Sequence, residues 1–125
     1  MADADPHLPQ AAPIDAYGNG GFRFAGMSHR GSLLCLPDGI WAWPVTCVAD
    51  LTPALLAPVF ARADKLDMVL IGGGKDPFLL PAALRQQFHD HRISVDAMTT
   101  AAAVRTWNIL IGEGRRAGAG LIAVD

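Results

Sequence analysis

The sequence predicts an α/β fold with a mixed sheet, in which a parallel β-α-β-α-β C-terminal half joins an N-terminal antiparallel hairpin region. Three observations carry this. From Asp67 onward, strand-like apolar runs alternate with helix-like segments, and two such crossovers in succession call for parallel strands. The runs "DMVLIG" and "GLIAVD" are almost continuously apolar, as strands are when both faces of the sheet are covered. Upstream, Asp38-Gly39 separates two apolar runs, a strong hairpin signal because a primed turn needs a positive φ that Gly tolerates.

Residues 1–16 carry Asp3, Asp5 and Asp15, no Lys or Arg, and Pro6, Pro9 and Pro13. With few large apolar side chains they read as a disordered tail, leaving 17–125 as a single α/β domain. The glycine-dense stretch "YGNGGFRFAGMSHRG" suggests short extended pieces around Phe22–Ala25, separated by turns. In the following hairpin, a two-residue turn at Asp38-Gly39 pairs Pro37 with Ile40 and Cys35 with Ala42, and holds Cys35 away from Cys47. "LTPALLAPVFARADK" reads as a helix capped by Thr52 with Pro53 at its first position. Pro58 lacks an amide hydrogen, so this helix either kinks there or starts nearer to it. "DMVLIG" is a strand, and "PAALRQQFHDH" is a helix with Leu80, Leu84 and Phe88 spaced by four. "ISVDAM" is a strand, "TTAAAVRTWNILIGEG" is a helix capped by Thr99 or Thr100, and "GLIAVD" is the closing strand.

Composition narrows the function classes. The 125 residues fit one domain, and the 51% hydrophobic content suffices for a core. The formal net charge is −2, and outside the acidic first 16 residues the chain is close to neutral, which gives no electrostatic footprint for nucleic acid. Two cysteines make no disulfide framework and read as reduced thiols. No apolar run approaches the ~18 residues of a membrane span. The N-terminus has neither the basic start of a secretory signal nor the arginines of a transit peptide, so the expected location is cytoplasmic.

"LIGGGKDP" imitates a phosphate-binding loop. A P-loop needs G-x-x-x-x-G-K-[ST]; here Val69 stands five residues before Gly74, and Asp76, which repels phosphate, follows Lys75. Two readings of the glycines stay open. One is a tight exit from a strand. The other is a small anionic ligand at the carboxyl ends of the strands, held by Gly72, Gly73, Gly74 and Lys75 together with Thr99 and Thr100 at a helix start. Gly112, Gly114 and Ala117 spell a dinucleotide fingerprint, but only eight residues follow, too few for the helix and strand it needs. His89 and His91 point to opposite sides of a helix and make poor joint metal ligands. "GMSHRG" breaks the nucleophile-elbow pattern at Arg30. No catalytic residue, metal ligand or cofactor is assigned. Arg105 and Asn108 are helical neighbours, and Asn108 shares a face with Val104 and Ile111, where an amide must find a partner. They read as one structural network pinning the helix to a loop, with a binding role as the alternative.

The ordered set "YGNGGFRF", "GSLL", "PDG" before "WAWP", "LIGGGKDP", "RTWN" and "GEGR" resembles a family of small single-domain proteins of unknown function. That family includes the mitochondrial respiratory complex I assembly factor of the NADH dehydrogenase alpha subcomplex and an adipogenesis-associated relative. The resemblance covers Tyr17 to Asp125. It implies a three-layer fold with a mixed sheet and no established catalytic residue. It marks Gly21, Phe22, Arg23, Gly31, Ser32, Gly72, Gly74, Arg105, Asn108, Glu113, Gly114 and Arg115. Gly73 stands where a small hydroxyl residue is usual, Val104 where a cysteine is common, and Trp107 replaces a smaller aromatic. The expected function is a non-catalytic interaction protein with a protein partner, assisting assembly of a respiratory or membrane-associated complex. The alternative is a small-molecule binding protein or minor enzyme using the loop edge.

Overall fold

The C-terminal half pairs as alternating strands and helices require. A computed structural model describes residues 6–125; residues 1–5 of the expected tail lie outside the described residues. Strands β1 (Ala16–Gly18), β2 (Gly21–Phe24) and β3 (Met27–Arg30) form a small antiparallel meander. Next come β4 (Ser32–Leu36), β5 (Gly39–Trp43), α1 (Pro53–Phe60), β6 (Met68–Gly72), α2 (Ala82–Asp90), β7 (Ser94–Met98), α3 (Thr100–Gly112) and β8 (Ala117–Leu121). The larger sheet has the order β5-β4-β8-β6-β7. Strands β7, β6 and β8 run parallel; β4 is antiparallel to β8 and to β5.

The sheet is mixed and is the middle of three layers. On one face, Val69, Ile71, Leu36 and Trp43 pack with Leu56, Val59, Leu84 and Phe88 from α1 and α2. On the other, Leu70, Ala119 and Leu121 pack with Ala103, Val104 and Trp107 of α3 and with Phe22 and Phe24 of the meander. β8 lies centrally and is built of "AGAGL". It starts and ends earlier than the expected "GLIAVD" because the small residues are the ones that fit between the layers. A Cβ at Gly120 would meet the Trp43 ring at 2.5 Å.

The hairpin register differs from expectation. Leu36 pairs with Gly39 and Cys35 with Ile40, so the turn residues are Pro37 and Asp38. Proline has no amide to donate to the ladder and suits a turn position. Gly39 does not use a positive φ; it admits the Leu8 carbonyl and the Trp41 ring, each 2.9 Å from where its Cβ would sit. Helix α1 contains Pro58 and has Pro53 in its first turn, and the Trp43 indole donates to the Leu55 carbonyl at 3.0 Å.

Residues 7–16 lie against the body of the domain. The His7 amide donates to the Ile40 carbonyl and the Ile40 amide to Leu8, each at 2.9 Å, which covers the outer edge of β5. Ala12 and Ile14 are buried, and Ala16 opens β1. Composition carries no sign of these contacts because the few apolar residues of the segment meet partners that lie distant in sequence.

Docking also brings the His7 and His29 rings to 4.7 Å between centroids. The His29 Nε2 lies 3.2 Å from the Ser32 carbonyl; a carbonyl only accepts, so Nε2 carries the proton. Burial holds the His29 pKa below its usual 6.5, the nearby His7 adds to this, and the Ser32 bond opposes it. Between the folded and unfolded values the unfolded chain binds more protons, so this stability is present above about pH 6.5 and is lost as pH falls. Urea midpoints at pH 7.5 and 5.5 should therefore drop more steeply for wild type than for His29→Asn. Equal slopes would show that His29 titrates alike in both states.

Candidate functional site

The Gly72–Lys75 loop leaves β6 at the carboxyl edge of the parallel strands, beside the start of α3. Its three glycines do different jobs. A Cβ on Gly72 would meet Thr100 Cα and Ala103 Cβ at 2.9 Å, so Gly72 lets α3 lie close on the sheet. A Cβ on Gly73 would enter the Phe78 ring at 2.3 Å. Gly74 has φ +113°, a conformation that disfavours side chains.

Thr100 organises the surroundings. It is fully buried, and its Oγ1 donates to the Ile122 carbonyl at 2.7 Å and accepts from the Gly74 amide at 3.0 Å. The Thr100 amide donates to the Gly74 carbonyl, the Gly73 amide to Met98, and the Ile122 amide to Gly72, each at 2.9 Å. Thr99 caps α3 by accepting from the Ala102 amide at 3.2 Å. On the far side of the β8 exit, buried Ser32 donates to the Val45 carbonyl and accepts from the Ala123 amide at 2.9 Å.

A cleft of ≈ 360 Å³ lies over this edge, lined by Gly73, Gly74, Lys75, Thr46, Cys47 and residues 122–125. Lys75 is exposed. The structure thus brings Gly72, Gly73, Gly74, Thr99 and Thr100 together, with Lys75 at the rim. The N–H groups of Gly73, Gly74, Thr100 and Ala102 already donate inside the chain. An anion here would meet the Lys75 ammonium and few backbone donors. Asp50, below the cleft, accepts from the Thr46 amide and hydroxyl and from the Cys47 amide, and these bonds keep its carboxyl below the usual range. Cys47 is exposed, whereas Cys35 is buried and its thiol pKa is pushed up by that burial.

Asn108 and Arg105 part company. The Asn108 Oδ1 accepts from the Ile14 amide at 2.8 Å, and its Nδ2 donates to the Ile14 carbonyl at 2.9 Å. The amide thereby pairs with the segment before β1 as a neighbouring strand would. One turn of contact away, the Trp107 indole donates to the Ala12 carbonyl at 2.9 Å. Arg105 is exposed and makes no hydrogen bond or ion pair among the described residues. The shared network read from their spacing is therefore an Asn108–Ile14 pair without Arg105, since adjacency on a helix does not fix which way a long side chain leaves it. Nothing in the sequence marks residues 12–14 as the receiving segment, because Ala12 and Ile14 sit among prolines and acidic residues that read as a tail.

Among the described residues, no three His, Cys, Asp or Glu side chains converge as metal ligands. The His91 ring stacks on Phe60 with centroids 4.5 Å apart. No helix among the described residues is long and apolar enough to cross a membrane.

Fold and site together describe a small three-layer α/β protein whose polar loop residues mainly hold its own frame. The chain belongs to the family of proteins of unknown function designated DUF498/DUF598, which matches residues 14–122. It is 39% identical to an uncharacterised protein of Rhodobacter capsulatus, over 98% of this chain and 93% of that one. It is 31% identical to the NADH dehydrogenase [ubiquinone] 1 alpha subcomplex assembly factor 3 of Mus musculus, over 92% of this chain but 62% of the mouse protein. A crystal structure described as an outer membrane protein of Bartonella henselae superposes with a TM-score of 0.92 at 48% identity, covering 95% of this chain and all of that one.

Asn108→Ala strands the Ile14 amide and carbonyl and should cost about 1–3 kcal/mol. Arg105→Ala should stay within about 0.5 kcal/mol of wild type. Urea unfolding of both variants checks this, and equal destabilisation would restore the shared network.

Proposed function

We propose that this chain is a non-catalytic protein-binding factor that assists assembly of a respiratory complex of the NADH dehydrogenase class, working from the cytoplasm. The observation that carries the reading is the use made of the family-marked residues. Gly72, Gly74, Ser32 and Asn108 hold strand, loop and helix to one another, and the amides of Gly73, Gly74, Thr100 and Ala102 at the loop edge are already engaged. A chain that commits its polar loop residues to its own frame offers surfaces more readily than a reaction centre. The name of the mouse relative supplies the process, and the free thiols Cys35 and Cys47 support a reducing compartment.

The test is capture of the tagged chain from its organism of origin, paired with a gene deletion there. NADH dehydrogenase subunits should be recovered with the chain, and the assembled enzyme on native gels should fall in the deletion strain. Unchanged enzyme content with no subunit recovered would overturn the proposal.

One observation favours a second reading, a small anionic ligand: Lys75 overhangs a cleft of ≈ 360 Å³. On this reading Gly72, Gly73, Gly74, Lys75, Thr99 and Thr100 form the binding edge. A thermal-shift screen with inorganic phosphate, sulfate, carboxylates and nucleotides tests it. A ligand at a hundred times its Kd stabilises by about 2.7 kcal/mol; a flat response for wild type excludes those ligands, and a shift that survives Lys75→Ala places them elsewhere.

A further inference from the structure

The five-stranded sheet has two edges, and the chain treats them differently. The β5 edge is covered at Ile40, whose amide and carbonyl both bond to residues 7 and 8. Among the described residues, the β7 edge has no such cover. Along β7, the Ser94 amide donates to Asp67 and the Met98 carbonyl accepts from Gly73. In a parallel ladder only alternate residues turn their backbone toward a given neighbour. Ser94, Asp96 and Met98 therefore face β6, and the N–H and C=O groups of Val95 and Ala97 face outward. An open row of this kind is a template for another strand.

The space beside that row is shaped. A cleft of ≈ 340 Å³ is lined by Val95, Asp96 and Ala97 on one side and by Phe78, Leu79, Leu80 and Arg85 on the other. Leu79 is 86% exposed, an apolar side chain projecting into water from the loop between β6 and α2. Val95 and Ala97 pack with the α1 and α2 side of the core. Strand alternation puts Asp96 on the opposite face, where it is exposed. A strand added here meets, on one face, a mixed cleft in which Phe78, Leu79 and Leu80 lie beside Arg85, and a carboxylate on the other.

A second copy of this chain fits poorly. Antiparallel pairing about a two-fold axis through the middle of β7 would set Asp96 directly against Asp96, and like charges opposed across strands are destabilising. A basic residue in that position is favoured. We propose that the β7 edge with the Phe78–Leu80 loop is a docking site for an extended segment of a partner protein in which apolar and basic residues alternate. The partner's backbone pairs with Val95 and Ala97, its apolar residues enter the cleft beside Leu79, and a basic residue lies opposite Asp96. The proposal takes from the assembly reading only that the occupant is a protein.

The probe is the synthetic peptide Lys-Val-Lys-Val-Lys-Val-Lys, titrated into the full ¹⁵N-labelled chain. Amide shifts should saturate at Val95, Ala97, Phe78 and Leu79. The Val95 and Ala97 amides should exchange rapidly in the free chain and slowly with peptide, while Asp96 and Met98 stay slow throughout. Asp96→Lys should weaken the Lys-Val peptide by about fivefold and reverse the preference toward a Glu-Val peptide. Ala97→Pro removes one outward N–H at an edge position that tolerates proline and should lose peptide binding; if that variant does not fold, the charge reversal decides alone. Absence of saturable shifts in β7 would overturn the proposal. So would Val95 and Ala97 protection in the free chain that grows with protein concentration, because a second copy would then cover the edge. If the peptide fails to bind the wild-type chain while that chain still captures NADH dehydrogenase subunits, the edge assignment falls and the assembly role stands. If the peptide binds as described and no subunit is captured, the edge assignment stands and the assembly role falls.

Discussion

Strand β8 has to be thin, and much of the molecule follows from that. It lies between β4 and β6 with both faces covered. Gly118 and Gly120 face the α1 and α2 side, where the Trp43 ring lies across Gly120 and the side chains of Leu36 and Leu66 approach Gly118. Ala117 and Ala119 face the layer that holds Trp107. Two large indoles can sit above and below one sheet because the strand between them carries almost no side-chain volume. Close packing of this kind leaves little room for change, since even one added methyl in a filled layer forces shifts around it. Each indole is also tied to backbone, Trp43 to Leu55 and Trp107 to Ala12. The thin strand thereby fixes the positions of α1 and of the segment before β1.

The exit of β8 is held by two buried hydroxyls. Thr100 reaches the Ile122 carbonyl from α3, and Ser32 receives the Ala123 amide at the start of β4. Beyond its strand partners, the chain needs substitutes for a ladder, and a hydroxyl that both donates and accepts serves in a space too small for a longer polar side chain. The same economy explains Asn108, whose amide supplies a donor and an acceptor in one plane to Ile14. The Gly-Gly-Gly-Lys loop belongs to this frame. Its glycines resemble those of a phosphate loop only in sequence; in space they make room for Thr100, Ala103 and Phe78. Of the two sheet edges, one is capped at Ile40 by residues 7 and 8, and the other is open beside Leu79 among the described residues.

The sequence by itself determined the elements whose cause is local. Alternating strands and helices dictated the parallel β6, β7 and β8 arrangement, since no short connection joins parallel strands. Thr99-Thr100 announced the start of α3, with Thr99 proving to be the cap, and Asp76 with the wrong glycine spacing argued against a P-loop. The apolar neighbours of Asn108 required that its amide be bonded. Only the tertiary structure decided which partners these groups meet. The hairpin turns at Pro37-Asp38, and Gly39 enters the ladder, where the Leu8 carbonyl and the Trp41 ring leave no room for a side chain. Residues 7–15 dock because Ile40, Trp107 and Asn108, far along the chain, present the groups they need. Arg105 stands outside the network that spacing suggested. In each case the deciding contact joins residues that composition and periodicity treat separately, because a window along the chain records what a segment can form but not which surface folding will bring against it.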